Sequence, residues 1–390
     1  MRDGFIKVAA GTPKIRVADC RYNAEQIFTL MRQAAEQGVR VLALPELCVT
    51  GYTCGDLFLQ DTLLRGAEEA LGTILEATRH LDMLVALGLP VRHKNKLYNC
   101  AAVIQKGEVL CFVPKTHMPN YGEFDEARWF TQWEHGRSET VWFNGTRVLM
   151  TDKLLFEIPA MADLIVGVEL CEDLWAADAP SIPMAQSGAT IILNLSASNE
   201  LVGKAAQRRQ LVCGQSTRLV CGYVYASAGE GESTTDLVFS GHNLIAEDGC
   251  LLAQRRFSAG LTVSEIDVGR LAYQRRRKNS FRRPHQEERY PTLEVEMATT
   301  TTTLTRHISP SPFVPEDEEE RAACCDEVLR IAALGLKQRL EHTGARTAVI
   351  GLSGGLDSTL AILITAVAGA TVILFTKKTE EKEGESDEGK

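Results

Sequence analysis

The sequence predicts an α/β layered sandwich with mixed sheets. Short apolar, β-branched runs alternate with stretches whose hydrophobic residues recur at helical spacing, the pattern of buried sheets flanked by helices. Hairpins interrupt that alternation, as at Lys106-Gly107, so a purely parallel sheet does not fit. Three of the apolar runs end abruptly in an ionisable residue, which puts chemistry at strand ends.

Residues 5–10 read as the first strand. Over 23–37, Ile27, Leu30, Met31 and Ala34 share one face of an amphipathic helix, and Gly38 closes it. A buried strand at 39–44, a helix at 62–80 and strands at 83–89, 101–105 and 109–113 continue the alternation. The run at 164–170 ends in Cys171-Glu172-Asp173, where the chain should leave the sheet and turn. Then come a strand at 189–195, a helix at 203–218 and strands at 222–226, 236–246 and 260–267. Composition shifts at the arginine-rich stretch 274–283, which in an acidic chain reads as a solvated helix end or an interface face rather than a nucleic-acid patch. The threonines at 299–303 and the prolines at 309–315 read as a linker without a core of its own. Acidic residues 316–320 open a helix that runs to 342, placed where a helix N-terminus favours negative charge. A strand at 346–352, a loop at 353–358, a helix at 359–368 and a strand at 371–376 precede a charged tail. The expected organisation is a domain at 1–275, a linker at 276–320, a domain fragment at 321–376 and the tail at 377–390.

The 390 residues carry a formal net charge of −9, which argues against a nucleic-acid or anionic-membrane surface as the main business of the fold. Eleven cysteines without a CxxC pair fit a reducing compartment better than a disulfide framework, and no spacing suggests a metal site. The N-terminus has no long apolar segment after its charges, and no run of about 18 apolar residues occurs. A soluble, cytoplasmic protein is therefore expected.

The three strand ends are Leu44-Pro-Glu46, Phe112-Val-Pro-Lys115 and Glu169-Leu-Cys171. A carboxylate, an ammonium and a thiol suit acyl transfer: a thiolate attacks a carbonyl, a carboxylate moves the proton, and a lysine steadies the oxyanion. Each residue alone has an ordinary structural explanation, but ionisable residues rarely follow buried strands three times without a reason. A Cys/His dyad through His117 or His242 is the alternative for a thiol hydrolase. If the carboxylate, lysine and thiol act together, their functional groups should meet within about 5 Å.

These residues resemble the glutamate, lysine and cysteine signatures of the nitrilase superfamily. Within it, Gly51-Tyr-Thr-Cys-Gly-Asp-Leu-Phe58, Asn120-Tyr-Gly-Glu-Phe-Asp-Glu-Ala-Arg-Trp129 and Asn194-Leu-Ser-Ala-Ser198 resemble the glutaminase part of glutamine-dependent NAD synthetases. The resemblance covers residues 1 to about 275 and continues less completely to about 368. It implies a four-layer αββα sandwich with Cys171 as nucleophile, Glu46 as general base and Lys115 as oxyanion-stabilising cation. Glu123 corresponds to a second, structural carboxylate near the lysine. Tyr52, Tyr121, Glu126, Trp175, Ser198 and Lys204 are implied for the glutamine pocket, and the family forms homo-oligomers.

Ser353-Gly-Gly-Leu-Asp-Ser358, after a strand and before a helix, has the form of a phosphate loop without the lysine of the Walker pattern. It resembles the SGGxDS loop of the N-type ATP pyrophosphatases, which opens the doubly wound α/β nucleotide-binding domain of NAD synthetases. The resemblance implies ATP binding by Ser353, Gly354, Gly355, Asp357 and Ser358, with magnesium, ATP and nicotinic acid adenine dinucleotide used by the full family enzyme. Only 33 residues follow Asp357, against roughly 150 for a complete domain of this kind, so the expectation is a glutaminase half able to act beside a synthetase half that is not. A stand-alone amidase acting on another small amide and a non-catalytic remnant are the competing readings.

Overall fold

The computed structural model describes residues 1–281 and 289–376. The tail at 377–390, and Arg282 and Arg283 of the arginine-rich stretch, lie outside the described residues. The chain divides into two units, Met1–Arg306 and His307–Lys390.

In chain order the first unit contains β1 (Phe5–Thr12), α1 (Cys20–Glu36), β2 (Val41–Ala43), α2 (Asp61–Thr78), β3 (Leu84–His93), β4 (Lys96–Gln105), β5 (Glu108–Pro114), β6 (Ser138–Phe143), β7 (Thr146–Thr151), β8 (Leu155–Glu157) and β9 (Ile165–Leu170). There follow α3 (Glu172–Trp175), α4 (Ser181–Gln186), β10 (Ile191–Ser196), α5 (Lys204–Leu219), β11 (Gly222–Ser227), β12 (Asn243–Glu247), β13 (Cys250–Arg255), β14 (Gly260–Asp267), α6 (Val268–Arg277) and β15 (Thr292–Glu294). One sheet has the order β14-β1-β2-β3-β4-β5-β7-β6 and the other β13-β12-β11-β10-β9-β8-β15. Parallel pairs β1·β2·β3 and β9·β10·β11 sit at the centres, and antiparallel hairpins extend both sheets.

Period-two side-chain alternation makes four layers of this. Ile6, Val8 and Ala10, with Val41 and Ala43, point into the space between the sheets, where they meet Val166, Val168, Leu170, Ile191, Leu193 and Leu195. The opposite face of the first sheet, with Leu42, Val85 and Leu87, is covered by Ile27, Leu30, Met31 and Ala34 of α1 and by Leu64, Leu71 and Ile74 of α2. The opposite face of the second, with Ile192, Tyr223 and Tyr225, is covered by Met184 of α4 and Val212 and Leu219 of α5. The result is the αββα sandwich. Central strands are apolar on both faces, which is why they read as continuous hydrophobic runs. Each fully buried Leu, Ile or Val contributes about 1.5–3 kcal/mol.

The expected strand at 236–246 starts only at Asn243, because Gly241 turns at φ +61° and breaks it. The hairpin β6–β7 lies outside the expected strands: at a sheet edge it buries Val141, Phe143, Val148 and Met150 on one face, while Trp142 on the other is two-thirds exposed. The stretch read as a linker adds a strand, β15, parallel to β8, and buries Tyr290, Val295 and Met297 in the first unit. Nor is the arginine-rich helix end simply solvated. Arg275 donates to the carbonyls of Ala189 (2.7 Å), Leu219 (3.0 Å) and Val220 (3.0 Å), serving the open carbonyl end of α5, and burial lowers its pKa.

The second unit consists of α7 (Glu318–Thr343), β16 (Thr347–Leu352), α8 (Leu356–Val367) and β17 (Thr371–Thr376). Asp317 caps α7 by accepting from the amide of Glu320, and Gly344 ends it at φ +71°. β16 and β17 pair in parallel around α8, a single βαβ unit. Val349, Leu356, Leu363, Ile373 and Leu374 are exposed.

Candidate active site

The apolar run of β9 delivers Cys171 to the end of the second sheet. The backbone there adopts φ +40° and ψ −94°, a conformation that side chains other than glycine rarely take. The amide of Cys171 donates to Leu195 O (2.9 Å) on β10, and its carbonyl accepts from Leu174 as the short helix α3 begins. The thiol is thus pinned at a sharp strand-to-helix turn, on a residue that is 6% exposed.

Glu46 and Lys115 come from the first sheet, at the ends of β2 and β5. The side chain of Lys115, wholly buried, places its Nζ 2.6 Å from Glu46 Oε1 and 2.7 and 2.8 Å from the two oxygens of Glu126. Glu46 also accepts from Asn99 Nδ2 (2.7 Å) and, across the sandwich, from the amide of Ala197 (2.9 Å). Tyr52 Oη completes the chain by donating to Glu126 Oε1 (2.8 Å). Gly88 lies directly against this arrangement: a Cβ there would stand 2.1 Å from Leu47 N.

One ammonium between two carboxylates leaves the cluster one charge negative when both are ionised, and its pKa values follow. Burial alone would lower Lys115, but Glu126 and Glu46 outweigh it and hold the ammonium well above its usual value. Burial pushes Glu126 up to about 7, against the pull of Lys115 and with the push of Glu46. Burial also raises the Cys171 thiol, the Glu46 carboxylate adds to that, and Lys115 opposes it. Cys171 therefore shares one electrostatic environment with Glu46, Lys115 and Glu126.

The implied second carboxylate is corrected by this geometry. Glu126, not Glu123, holds the lysine. Glu123 is exposed and accepts instead from Asn199 Nδ2, because the turn at 121–124 carries it to the rim while the next turn directs Glu126 inward. Glu126 and Tyr52, implied as pocket residues, are part of the charge network. Ser198 is buried and accepts from Arg208 (3.1 Å). Tyr121, Trp175 and Lys204 form a rim: Tyr121 Oη donates to Glu172 (2.8 Å), and Lys204 Nζ lies 5.8 Å from the centre of the Trp175 ring and 5.6 Å from that of Phe124. Burial lowers the pKa of Lys204, whose Nζ donates to Asn199.

Neither histidine pairs with the thiol. His117 Nδ1 lies 2.9 Å from Asp173, which raises its pKa, and His242 Nδ1 accepts from Arg208 (2.8 Å) while burial holds its pKa at about 4. A cavity of about 1000 Å³ lined by His117, Trp133, His135 and Asp178 adjoins the lysine loop, but Cys171 does not line it.

Residues 7–276 match the carbon-nitrogen hydrolase family. The chain belongs to the carbon-nitrogen hydrolases. A glutamine-dependent NAD(+) synthetase of Mycobacterium tuberculosis (strain ATCC 25618 / H37Rv) is 37% identical over 371 residues, covering 93% of this chain and 54% of the relative. The crystal structure of a glutamine-dependent NAD(+) synthetase from Cytophaga hutchinsonii aligns with a TM-score of 0.61 at 28% identity, over 93% of this chain and 51% of that one. A synthetase from Acinetobacter baumannii in complex with ADP aligns at 0.57 and 22% identity over 95% and 59%, a likeness of fold. The chain spans about half the length of the curated relatives it matches.

Three residues of this candidate site escaped the sequence reading. Asn99 gave a faint signal, an amide inside the otherwise apolar run Tyr98-Asn-Cys-Ala-Ala-Val103. Arg208, fully buried and donating to Ser198, Asn199 O and His242, is one of several arginines on α5 and gave none. Glu232 lies 180 residues from the turn it fixes, accepting from the amides of Tyr52 (2.8 Å) and Thr53 (3.0 Å).

In the second unit, the serine–glycine segment turns between β16 and α8. Gly354 has φ +81°, Gly355 is the N-cap, and Asp357 and Ser358 lie in the first turn of α8 rather than in the loop. Ser353 Oγ and Ser358 Oγ are 3.2 Å apart. Among the described residues no cluster of three or more His, Cys, Asp or Glu suited to a metal occurs, and no helix is long and apolar enough to cross a membrane.

Proposed function

We propose that the first unit is a glutaminase that releases ammonia from the side-chain amide of glutamine in service of glutamine-dependent NAD synthesis. The observation that carries this reading is the buried Lys115 ammonium held between Glu46 and Glu126 beside the Cys171 thiol. A thiol pushed up by burial and by a carboxylate rests protonated, so it needs a base as it attacks. Glu46 takes that proton while Sγ bonds to the amide carbon. Lys115 Nζ, kept charged by its two carboxylates, stabilises the oxyanion of the tetrahedral intermediate in a water-poor site. Glu46 then gives the proton to the departing nitrogen, leaving a thioester and ammonia. Water, deprotonated by the same carboxylate, hydrolyses the thioester to glutamate and restores the thiol.

Tyr121, Trp175 and Lys204 form the candidate binding rim, with Lys204 suited by charge to the substrate α-carboxylate and Trp175 to its methylene chain. Residues 353–358 fit a phosphate group: a glycine turn, two hydroxyls and a helix N-terminus converge there. ATP would be held at that end through Ser353, Gly354, Gly355 and Ser358, and magnesium would lie by Asp357. Bound there, ATP supplies adenylation of the acid that accepts the ammonia. A homo-oligomer in the cytoplasm is part of the same reading.

The deciding experiment is steady-state glutamate release from glutamine by the 390-residue chain, with Cys171→Ala as control and asparagine and aliphatic amides as competing substrates. Preference for an aliphatic amide would favour the stand-alone amidase, and no Cys171-dependent release from any amide would sink both enzyme readings.

A further inference from the structure

The lysine and the cysteine of the proposed mechanism sit on different sheets, and something must fix the distance between them. Glu46 has its own ties to the second sheet, through Ala197 N (2.9 Å) and from its amide to Ser196 O (3.3 Å). The backbone of Lys115 is held within the first sheet, its amide donating to Asn99 O (2.9 Å). Directly after it, Thr116 and His117 turn toward Asp173, two residues past the cysteine. Asp173 Oδ1 accepts from the Thr116 hydroxyl (2.7 Å), the Thr116 amide (3.3 Å), the His117 amide (2.9 Å) and lies 2.9 Å from His117 Nδ1. Its other oxygen accepts from the amide of Leu170 (3.0 Å), the residue before Cys171. The Asp173 side chain is 2% exposed.

We infer that Asp173 is a positioning residue for amide hydrolysis, a clasp that joins the residue after Lys115 to the residue before Cys171 and so sets the lysine against the thiol. This rests on the glutaminase reading. A buried carboxylate with five polar contacts from two chain segments is specified more tightly than general packing requires, because every contact comes from within two residues of the lysine or the cysteine. Asp173 touches neither substrate nor thiol in this role. It acts through Lys115, whose Nζ must lie where the oxyanion forms rather than an ångström away.

Asp173→Asn keeps the shape but sets an amide NH₂ against one of the donors. It is expected to lower kcat for glutamine about 100-fold with KM within about two-fold of wild type, since the binding rim is untouched. Thr116→Val removes one of the five bonds and should lower kcat roughly five-fold, whereas Thr116→Ser, which keeps the hydroxyl, restores it. These two variants decide the matter if Asp173→Asn does not fold. A substrate-free readout accompanies them: site-resolved iodoacetamide labelling of Cys171 at pH 8, expected to slow several-fold in Asp173→Asn as the Lys115 cation drifts from the thiol. A folded Asp173→Asn protein with wild-type kcat and labelling rate would overturn the inference, as would a loss in Thr116→Val that Thr116→Ser shares. If wild type hydrolyses no glutamine, the glutaminase reading fails, and the labelling rates alone decide for or against the clasp.

Discussion

Replacing Glu126 by glutamine separates what this carboxylate does for stability from what it does for chemistry. The fold holds it at about 7 against a usual 4.5, chiefly because it is buried and next to Glu46. A carboxyl whose folded value is raised binds its proton more tightly in the folded than in the unfolded chain. Its favourable contribution is therefore present at low pH and is lost as pH rises through the window from 4.5 to 7. Between pH 5 and pH 8 that loss amounts to roughly 2–3 kcal/mol. Glutamine fills the same volume, still accepts from Tyr52 or Lys115, and does not titrate, so Lys115 keeps Glu46 as its partner. Urea unfolding of both proteins should show the variant gaining about 2–3 kcal/mol on wild type between pH 5 and pH 8. Over the same range its kcat for glutamine should lie about 10- to 100-fold below that of wild type, because one of the two carboxylate oxygens that hold Lys115 becomes an NH₂ and the ammonium shifts. Unfolding curves for the two proteins that move in parallel with pH would refute this account of the cluster. A gain in stability coupled to a loss in rate would mark a residue retained at a cost to the fold.

Three further outcomes are expected. Gly88→Ala drives a Cβ to 2.1 Å from Leu47 N, so thermal melting should reveal a loss of at least about 3 kcal/mol, and the surviving folded fraction should turn over glutamine slowly because Glu46 is displaced. Lys204→Met keeps the stem against Trp175 but removes the charge, which should raise KM for glutamine about ten-fold with kcat little changed, whereas equal KM values would remove Lys204 from substrate binding. Lys115→Met leaves Glu46 and Glu126 facing each other without a cation; initial-rate assays should find kcat down by at least about 1000-fold, and wild-type turnover would exclude oxyanion stabilisation by this lysine.

The sequence made the layers readable because the central strands are buried on both faces and leave long apolar runs, as at 164–170 and 189–195. It made Glu46, Lys115 and Cys171 readable because each interrupts such a run at its end. Edge elements lack such runs: β6 and β7 bury one face only, through Val141, Phe143, Val148 and Met150, and β15 is exposed along its length. The exchange between Glu123 and Glu126 was also beyond the reach of spacing. Both carboxylates stand within one short irregular segment, and which of them turns inward is decided by Tyr52, Asn99 and Lys115 from three distant parts of the chain. Arg208 and Glu232 illustrate the same limit, since a buried ion or anchor is recognisable only by partners that the sequence does not place beside it.

The division of the site between two sheets has a consequence for how the protein matures. The sheet that carries Glu46 and Lys115 is closed at one edge by β14, which pairs with β1 from Phe5↔Asp267 to Thr12↔Gly260. During synthesis, that sheet stays incomplete until residue 267 has left the ribosome. The thiol-bearing sheet must then dock against it before a base and a cation stand beside Cys171. The grouping of Cys171 with Glu46 and Lys115 therefore depends on pairing between strands far apart in the chain, and recovery of turnover after denaturation reports assembly of both sheets.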